Sequence, residues 1–322
     1  MKQDNKSMQL LRQDMIKHLN GRTKVEAKYT PSYPYTAERE YFRLVNSYMA
    51  IEKEILEKYI PELKQILSEG TQYNTDSKKD NMKKRKTSRF SAIDNTIVRL
   101  NILFKNIQRE LESAIGMFDL KRKMREIANL DYKMTIKEWK KVIGKTLGIN
   151  IMEDYYSGDF YQEMIEKWIS DNVDLIKTVP SDSLGKIKQL VYENFMGGKT
   201  NTDIIKELHR QYGMDKRHAR LIARDQTGKL NAQITRHQQK DAGVNEYIWR
   251  TCQDERVRES HKELHGKKFS WDNPPDVGRG RRCHPGEDYQ CRCRAKPVFD
   301  VSKVNIDVPF QIQWDKESME RR

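Results

Sequence analysis

The chain has 322 residues, 36 % of them apolar and 34 % charged, with a formal net charge of +14. That balance argues against one thick-cored globule and suits long, solvated helices around a smaller core. No apolar run approaches the roughly 20 residues of a membrane-spanning helix, and positions 1–20 mix charges throughout with no apolar signal core. The expectation is a chain without a membrane anchor, made in a reducing cytoplasm where structural disulfides are uncommon. The positive field favours a polyanionic partner, nucleic acid first.

In chain order, Met8, Leu11, Met15 and Leu19 share a face and predict a first helix. Pro31 and Pro34, interleaved with Tyr29, Tyr33 and Tyr35, predict an extended stretch. From Thr36, Tyr41, Leu44, Val45, Tyr48, Ile51, Ile55 and Tyr59 recur at helical steps. Pro61 is expected to kink or restart that helix, and Gly70–Asn74 to break it. Lys78–Arg89 is a basic run holding one acid, Asp80. It reads as a solvated loop; the functional alternative is a phosphate-contacting segment using Lys83, Lys84, Arg85 and Lys86.

A second long helix is predicted from about Ile93, with Ile97, Leu100, Phe104, Ile107, Leu111 and Ile115 inward. Thr135 and Glu138 have capping-box spacing and predict a helix start near Ile136. Further helices are predicted over Asp159–Thr178, stopping before Pro180, and over Ser183–Met196, ended by Gly197-Gly198. Thr202–Gln211, a turn at Gly213 and Asp215–Ala242 read as helix, turn, helix, an outline that any two packed helices share with a DNA reader.

After Gly243 the texture changes. Asn245–Thr251 alternates like a strand, Asp254–His265 reads as a short helix closed by Gly266, and Lys268–Trp271 as a second strand. Asp272–Glu287 is turn-rich, and Tyr289–Val298 reads as a final strand. The fold class is therefore α+β: a long, mainly helical N-terminal region (1–180), a small α+β C-terminal domain with a Cys/His cluster (181–299), and an irregular tail (300–322).

All four cysteines and three of the seven histidines fall between Cys252 and Cys293. Cys291 and Cys293, two apart on a predicted strand, would face the same way and offer half of a tetrahedral zinc site. His261 and His265, four apart, would share a helix face. The candidate ligands are His261, Cys283, Cys291 and Cys293, with Cys252, His265 and His284 as alternates. The competing reading is that these cysteines are small buried apolar residues and that His265 helps to end a helix. Sulfur and imidazole favour zinc, in a structural role. Known catalytic patterns fit badly. His261-Lys262-Glu263-Leu264-His265 places Lys where a zinc protease has its glutamate, and no His-x-Glu precedes Cys291-Arg292-Cys293 as a deaminase requires.

Thr251, Asp254, Arg256, Arg258, His261, Leu264 and Gly266 form the string T-x-x-D-x-R-x-R-x-x-H-x-x-L-x-G. Pro274-Pro275, Pro285-Gly286, Cys291-Arg292-Cys293 and Pro297 follow in order, and Ile222-Ala223-Arg224-Asp225-Gln226 precedes the string. This set, over about 180–299, resembles the phage Mu F-like head-morphogenesis family. The resemblance implies a low-copy minor head protein of a tailed bacteriophage, inside the virion, associated with the portal protein and with capsid or scaffolding proteins. It implies a part in head assembly, DNA packaging or ejection, against packaged double-stranded DNA, with no established enzyme activity. Arg256, Arg258 and His261 are expected to pack around Asp254 as a polar network, with phosphate binding as the alternative. Two rivals stand beside this: a metal-dependent nuclease or toxin-like effector delivered with phage DNA, and a DNA-binding regulator using the Thr202–Ala242 helices.

Overall fold

The computed structural model describes residues 5–76, 82–149 and 159–304. The described residues form seven helices and four strands: α1 (Asn5–His18), β1 (Lys24–Glu26), α2 (Tyr35–Asp76), α3 (Met82–Gly116), α4 (Leu120–Leu147), α5 (Asp159–Met196), α6 (Asn201–Asp241), β2 (Glu246–Arg250), α7 (Glu259–Lys262), β3 (Lys268–Ser270) and β4 (Arg294–Asp300). Long helices followed by a small antiparallel sheet make an α+β fold.

The helices are longer than the local signals suggest. Pro61 lies inside α2, and the helix also runs through Gly70–Asn74. An internal proline removes a backbone hydrogen bond at a cost of about 3 kcal/mol. Here Ile55, Leu56, Leu63, Ile66 and Leu67 on either side are buried in one cluster, which offsets that loss. Gly70 serves close packing: a Cβ there would lie 2.7 Å from the Thr96 hydroxyl and 3.0 Å from the Phe195 ring. The basic run, expected as a loop, forms the first turns of α3 from Met82 onward. The side chains of Lys83, Lys84, Arg85 and Lys86 lie outside the described residues, as does the tail beyond 304.

Thr135 starts no helix. It sits inside α4, where its hydroxyl donates to the Asp131 carbonyl at 2.8 Å, the back-bonding a mid-helix threonine uses. Nor does α5 stop before Pro180; it continues to Met196, with Leu184, Ile187, Val191 and Phe195 in the same cluster as α2 and α3 residues. Gly197-Gly198 does end it: Gly198 has φ +74°, and the Lys199 N–H reaches the Asn194 carbonyl at 3.0 Å. α6 passes through Gly213 without a turn, so the helix-turn-helix outline dissolves into one helix. A glycine costs a helix only about 1 kcal/mol against alanine, less than burial of Leu208, Ala219 and Ile222 returns.

The chain packs as two compact units that interleave along the sequence. One comprises 42–123 and 170–222, and its core is the cluster just described. The other comprises 1–41, 124–169 and 223–322 and holds the sheet. Residue 180, where the sequence reading divides helical region from C-terminal domain, lies within α5. The sheet order is β1-β4-β2-β3, antiparallel throughout. Val25 pairs with Phe299, Tyr247 with Pro297 and Phe269, and Trp249 with Ala295. Tyr247 and Trp249, two apart on β2, share a face and bury completely with Trp271, Val277, Cys291, Cys293 and Ala295. Gln239 of α6 fastens this face, accepting from the Trp271 indole at 3.1 Å and donating to the Ala295 carbonyl at 3.1 Å.

Candidate metal centre

β2 delivers Trp249 and runs out at Arg250. The chain then turns through Gln253, at φ +56°, into the single turn of α7, which carries His261. Helix α7 is shorter than the predicted Asp254–His265 because Gly266 must return to the sheet. Its N–H donates to the Trp249 carbonyl at 2.8 Å, and its φ is +81°. Cys291 and Cys293 lie in the loop before β4 rather than on a strand, yet both thiols reach the same imidazole. His261 Nδ1 is 3.5 Å from Cys291 Sγ and 3.5 Å from Cys293 Sγ. The three donor atoms lie within 4.8 Å of one another, and all three residues are buried.

A carboxylate holds the other side of the ring. His261 Nε2 is 3.1 Å from Asp288 Oδ2, and the Asp288 side chain is 5 % exposed. Asp288 also accepts from Arg258 at 3.2 Å and from Arg281. Asp288 is thus the carboxylate that Arg258 and His261 share, in place of the expected Asp254. Asp254 is half-exposed, pairs with Arg292 and accepts the Arg256 N–H at 3.2 Å, while the Arg256 side chain is exposed.

The electrostatics of the group are those of shared protons. Its hydrogen bond with Cys293, together with His261, holds the Cys291 thiol down at about 5, while the same bond and burial push Cys293 up. Burial lowers His261, but Cys291 and Asp288 outweigh it and raise it. The Cys293 N–H points at Cys291 Sγ at 3.3 Å. The buried Trp249 indole N–H has no hydrogen-bond partner by distance and angle, and it favours a Cys293 thiolate.

The remaining candidates are placed otherwise. The His265 Nδ1 accepts the Thr251 N–H at 3.2 Å and lies 2.7 Å from Thr251 Oγ1, closing the loop between β2 and β3, outside the three-donor group. Cys252 donates to Asp254 Oδ1 at 3.5 Å. His284 Nδ1 is 2.9 Å from the Tyr247 hydroxyl. Cys283 packs, half-buried, against the cluster that contains Cys291 and Cys293, outside the three-donor group.

Helix α6 supports the loop from behind. The Asp225 carboxylate, buried, accepts the Gln290 N–H at 2.8 Å and Lys229 at 2.7 Å. Gly228 lets the Cys291 carbonyl come close, since a Cβ there would meet it at 3.1 Å. Asp288 and Trp249 escape sequence reasoning. Asp288 falls between the predicted turn-rich segment and the predicted strand, and its only signal is its place three residues before Cys291.

Two chemistries suit such a group. Two thiols and an imidazole oriented by a carboxylate match a zinc site with its outer-shell partner. Thiolate, imidazole and carboxylate in series also match an activated cysteine nucleophile. Cys291 is 4 % exposed, which favours the first.

Residues 185–296 match the family described as phage Mu protein F like protein. That segment belongs to the phage Mu F-like family. The match spans the last third of α5, all of α6, strands β2 and β3 with α7, and the cluster as far as Lys296 in β4. It points to a phage head-morphogenesis protein. The chain is also 34 % identical over 158 residues to an uncharacterised protein of Haemophilus influenzae, covering 49 % of this chain and 34 % of that relative. The chain therefore spans about a third of that relative's length. No solved structure matches it. No described helix is long and apolar enough to cross a membrane.

Proposed function

We propose that this chain is a minor head protein of a tailed bacteriophage, a low-copy virion component that sits inside the head. It meets the portal and the shell or scaffolding proteins, and acts in assembly, packaging or ejection. The Mu F-like match over 185–296 is the observation that carries the reading. The net charge of +14 supports proximity to packaged DNA, a dense polyanion bound through phosphates rather than sequence. The role is structural rather than catalytic, and burial of the most acidic thiol, Cys291, supports that. A structural zinc at His261, Cys291 and Cys293 belongs to the same reading, supported by their three converging donors.

Cross-linking mass spectrometry of intact procapsids tests the portal contact. Links from this chain to portal subunits are expected. Links confined to tail proteins, or none in a particle whose other contacts are recovered, would contradict it.

A further inference from the structure

The two faces of α4 differ sharply. Inward, Ile136, Trp139, Val142, Ile143 and Leu147 are buried, and Trp139 stacks on Phe299. Outward, every exposed residue between Asp131 and Leu147 is a lysine: Lys133, Lys137, Lys141 and Lys145. Standing four apart, they form one continuous ridge, with steps of about 6 Å along the axis and about 18 Å from first to last. The two acids of the same stretch do not balance it. Asp131 is buried. Glu138 accepts the Ser32 N–H at 2.8 Å and lies 3.8 Å from Lys141. Lys133, Lys137 and Lys145 have no acidic partner among the described residues.

A merely solvated helix face interleaves both signs, because an acid and a base four apart attract while like charges at that spacing repel. On α4 each lysine of the ridge follows another at the repelling distance. The arrangement works against the helix in free solution, and a partner with closely spaced negative charge reverses that.

We propose that the Lys133–Lys145 ridge of α4 is the surface on which this chain holds the phosphate backbone of duplex DNA, without reading its sequence. This rests on the DNA proximity proposed above and assigns it to residues that lie outside the 185–296 match. Duplex DNA carries about one negative charge per 1.7 Å of its axis, so a ridge of about 18 Å faces about ten of them. Lysine suits that partner as a point charge on a flexible stem. The ridge holds none of the arginine, asparagine or glutamine side chains that pair bidentately with base edges. The ridge is also well supported. The Lys28 N–H donates to Thr146 Oγ1 at 3.1 Å, the Tyr29 hydroxyl donates to the Glu138 carbonyl at 3.4 Å, and the Lys141 ammonium lies 4.7 Å from the Tyr29 ring centre.

The test compares two full-length variants of equal charge. One replaces Lys133, Lys137, Lys141 and Lys145 by Gln, which keeps helix propensity. The other replaces the exposed Lys105, Lys177, Lys186 and Lys199 by Gln. Binding to a random-sequence duplex is followed by anisotropy as salt rises. Each phosphate contact removed flattens the logarithmic salt slope by about 0.9. Between about 50 and about 200 mM salt, the ridge variant should therefore lose about 100-fold less affinity than wild type does. The second variant should keep the wild-type slope. A ridge variant with the wild-type slope, or equal flattening in both variants, overturns the ridge and leaves the DNA reading standing. A wild-type chain that binds no duplex at low salt overturns both. If the ridge variant does not fold, lysine acetylation of the wild-type chain decides. Bound duplex should protect the four ridge lysines, and full reactivity there with protection elsewhere overturns the assignment. Protection of the ridge in procapsids that hold no DNA overturns it too, in favour of an acidic protein surface.

Discussion

Single residues in this protein do more than their type suggests, and Asp288 is the clearest case. It accepts from two arginines and faces the imidazole that faces two thiols. Outer-shell carboxylates of this kind typically matter to metal affinity by about 10–100-fold. A zinc held at this group as proposed should bind more weakly in Asp288→Asn by about that factor, with the sulfur count at the metal unchanged; competition with a chelator reads the first and X-ray absorption the second. Asp131 makes a different prediction. Burial raises its carboxyl to about 8, against the hydrogen bonds from Thr135 and Asn231. The folded state then keeps a proton that the unfolded chain gives up near pH 4, so this residue lowers stability as pH rises from about 4 to about 8. Asp131→Asn should remove that component. Denaturant melts across the window should show the variant gaining on wild type by up to about 1.4 kcal/mol per pH unit. A constant difference would show that Asp131 does not titrate there. The cysteine and histidine clustering was legible in the sequence, since thiols and imidazoles crowded into one short stretch carry their own signal. The choice among them was not. His265 shares spacing with His261, but α7 ends at Lys262, and Thr251 takes His265 instead.

At the scale of elements, local punctuation loses to burial. Pro61, Pro180, Gly70 and Gly213 each mark a stop by propensity, and α2, α5 and α6 run through all four. Apolar periodicity on both sides of each break was visible in the sequence, but its cooperative burial was not. Pro61 is exposed, so Pro61→Ala should restore a helix hydrogen bond at no packing cost. Thermal unfolding should show a gain of about 1–3 kcal/mol. The Pro285-Gly286 pair of the family pattern gains a physical reason. Gly286 has φ +90°, and a Cβ there would sit 2.9 Å from Ala232 Cβ on α6. Gly286→Ala should therefore cost about 2–4 kcal/mol, from the left-handed backbone and from overpacking. Asp225, in the upstream part of the pattern, holds the Gln290 N–H of the same loop. The pattern thus spaces out pieces that meet at one site, which is why its order is more telling than any one residue.

For the whole molecule, the charge and the family match point the same way. The α+β class was legible because the apolar period changes after Gly243; the interleaving of the two compact units was not, because nothing in a helix's sequence says which half packs where. If the basic charge serves contact with packaged DNA, binding to duplex DNA should be indifferent to sequence and fall steeply with salt. Fluorescence anisotropy with two unrelated duplexes at rising salt checks this, and binding that prefers one sequence at moderate salt would favour a regulator instead. As proposed, the protein is part of the particle. The direct measurement is quantitative mass spectrometry of purified, nuclease-treated virions of the phage that encodes it. A few copies per particle is the predicted result; its absence from virions and procapsids alike, with the protein abundant in infected cells, would contradict the claim.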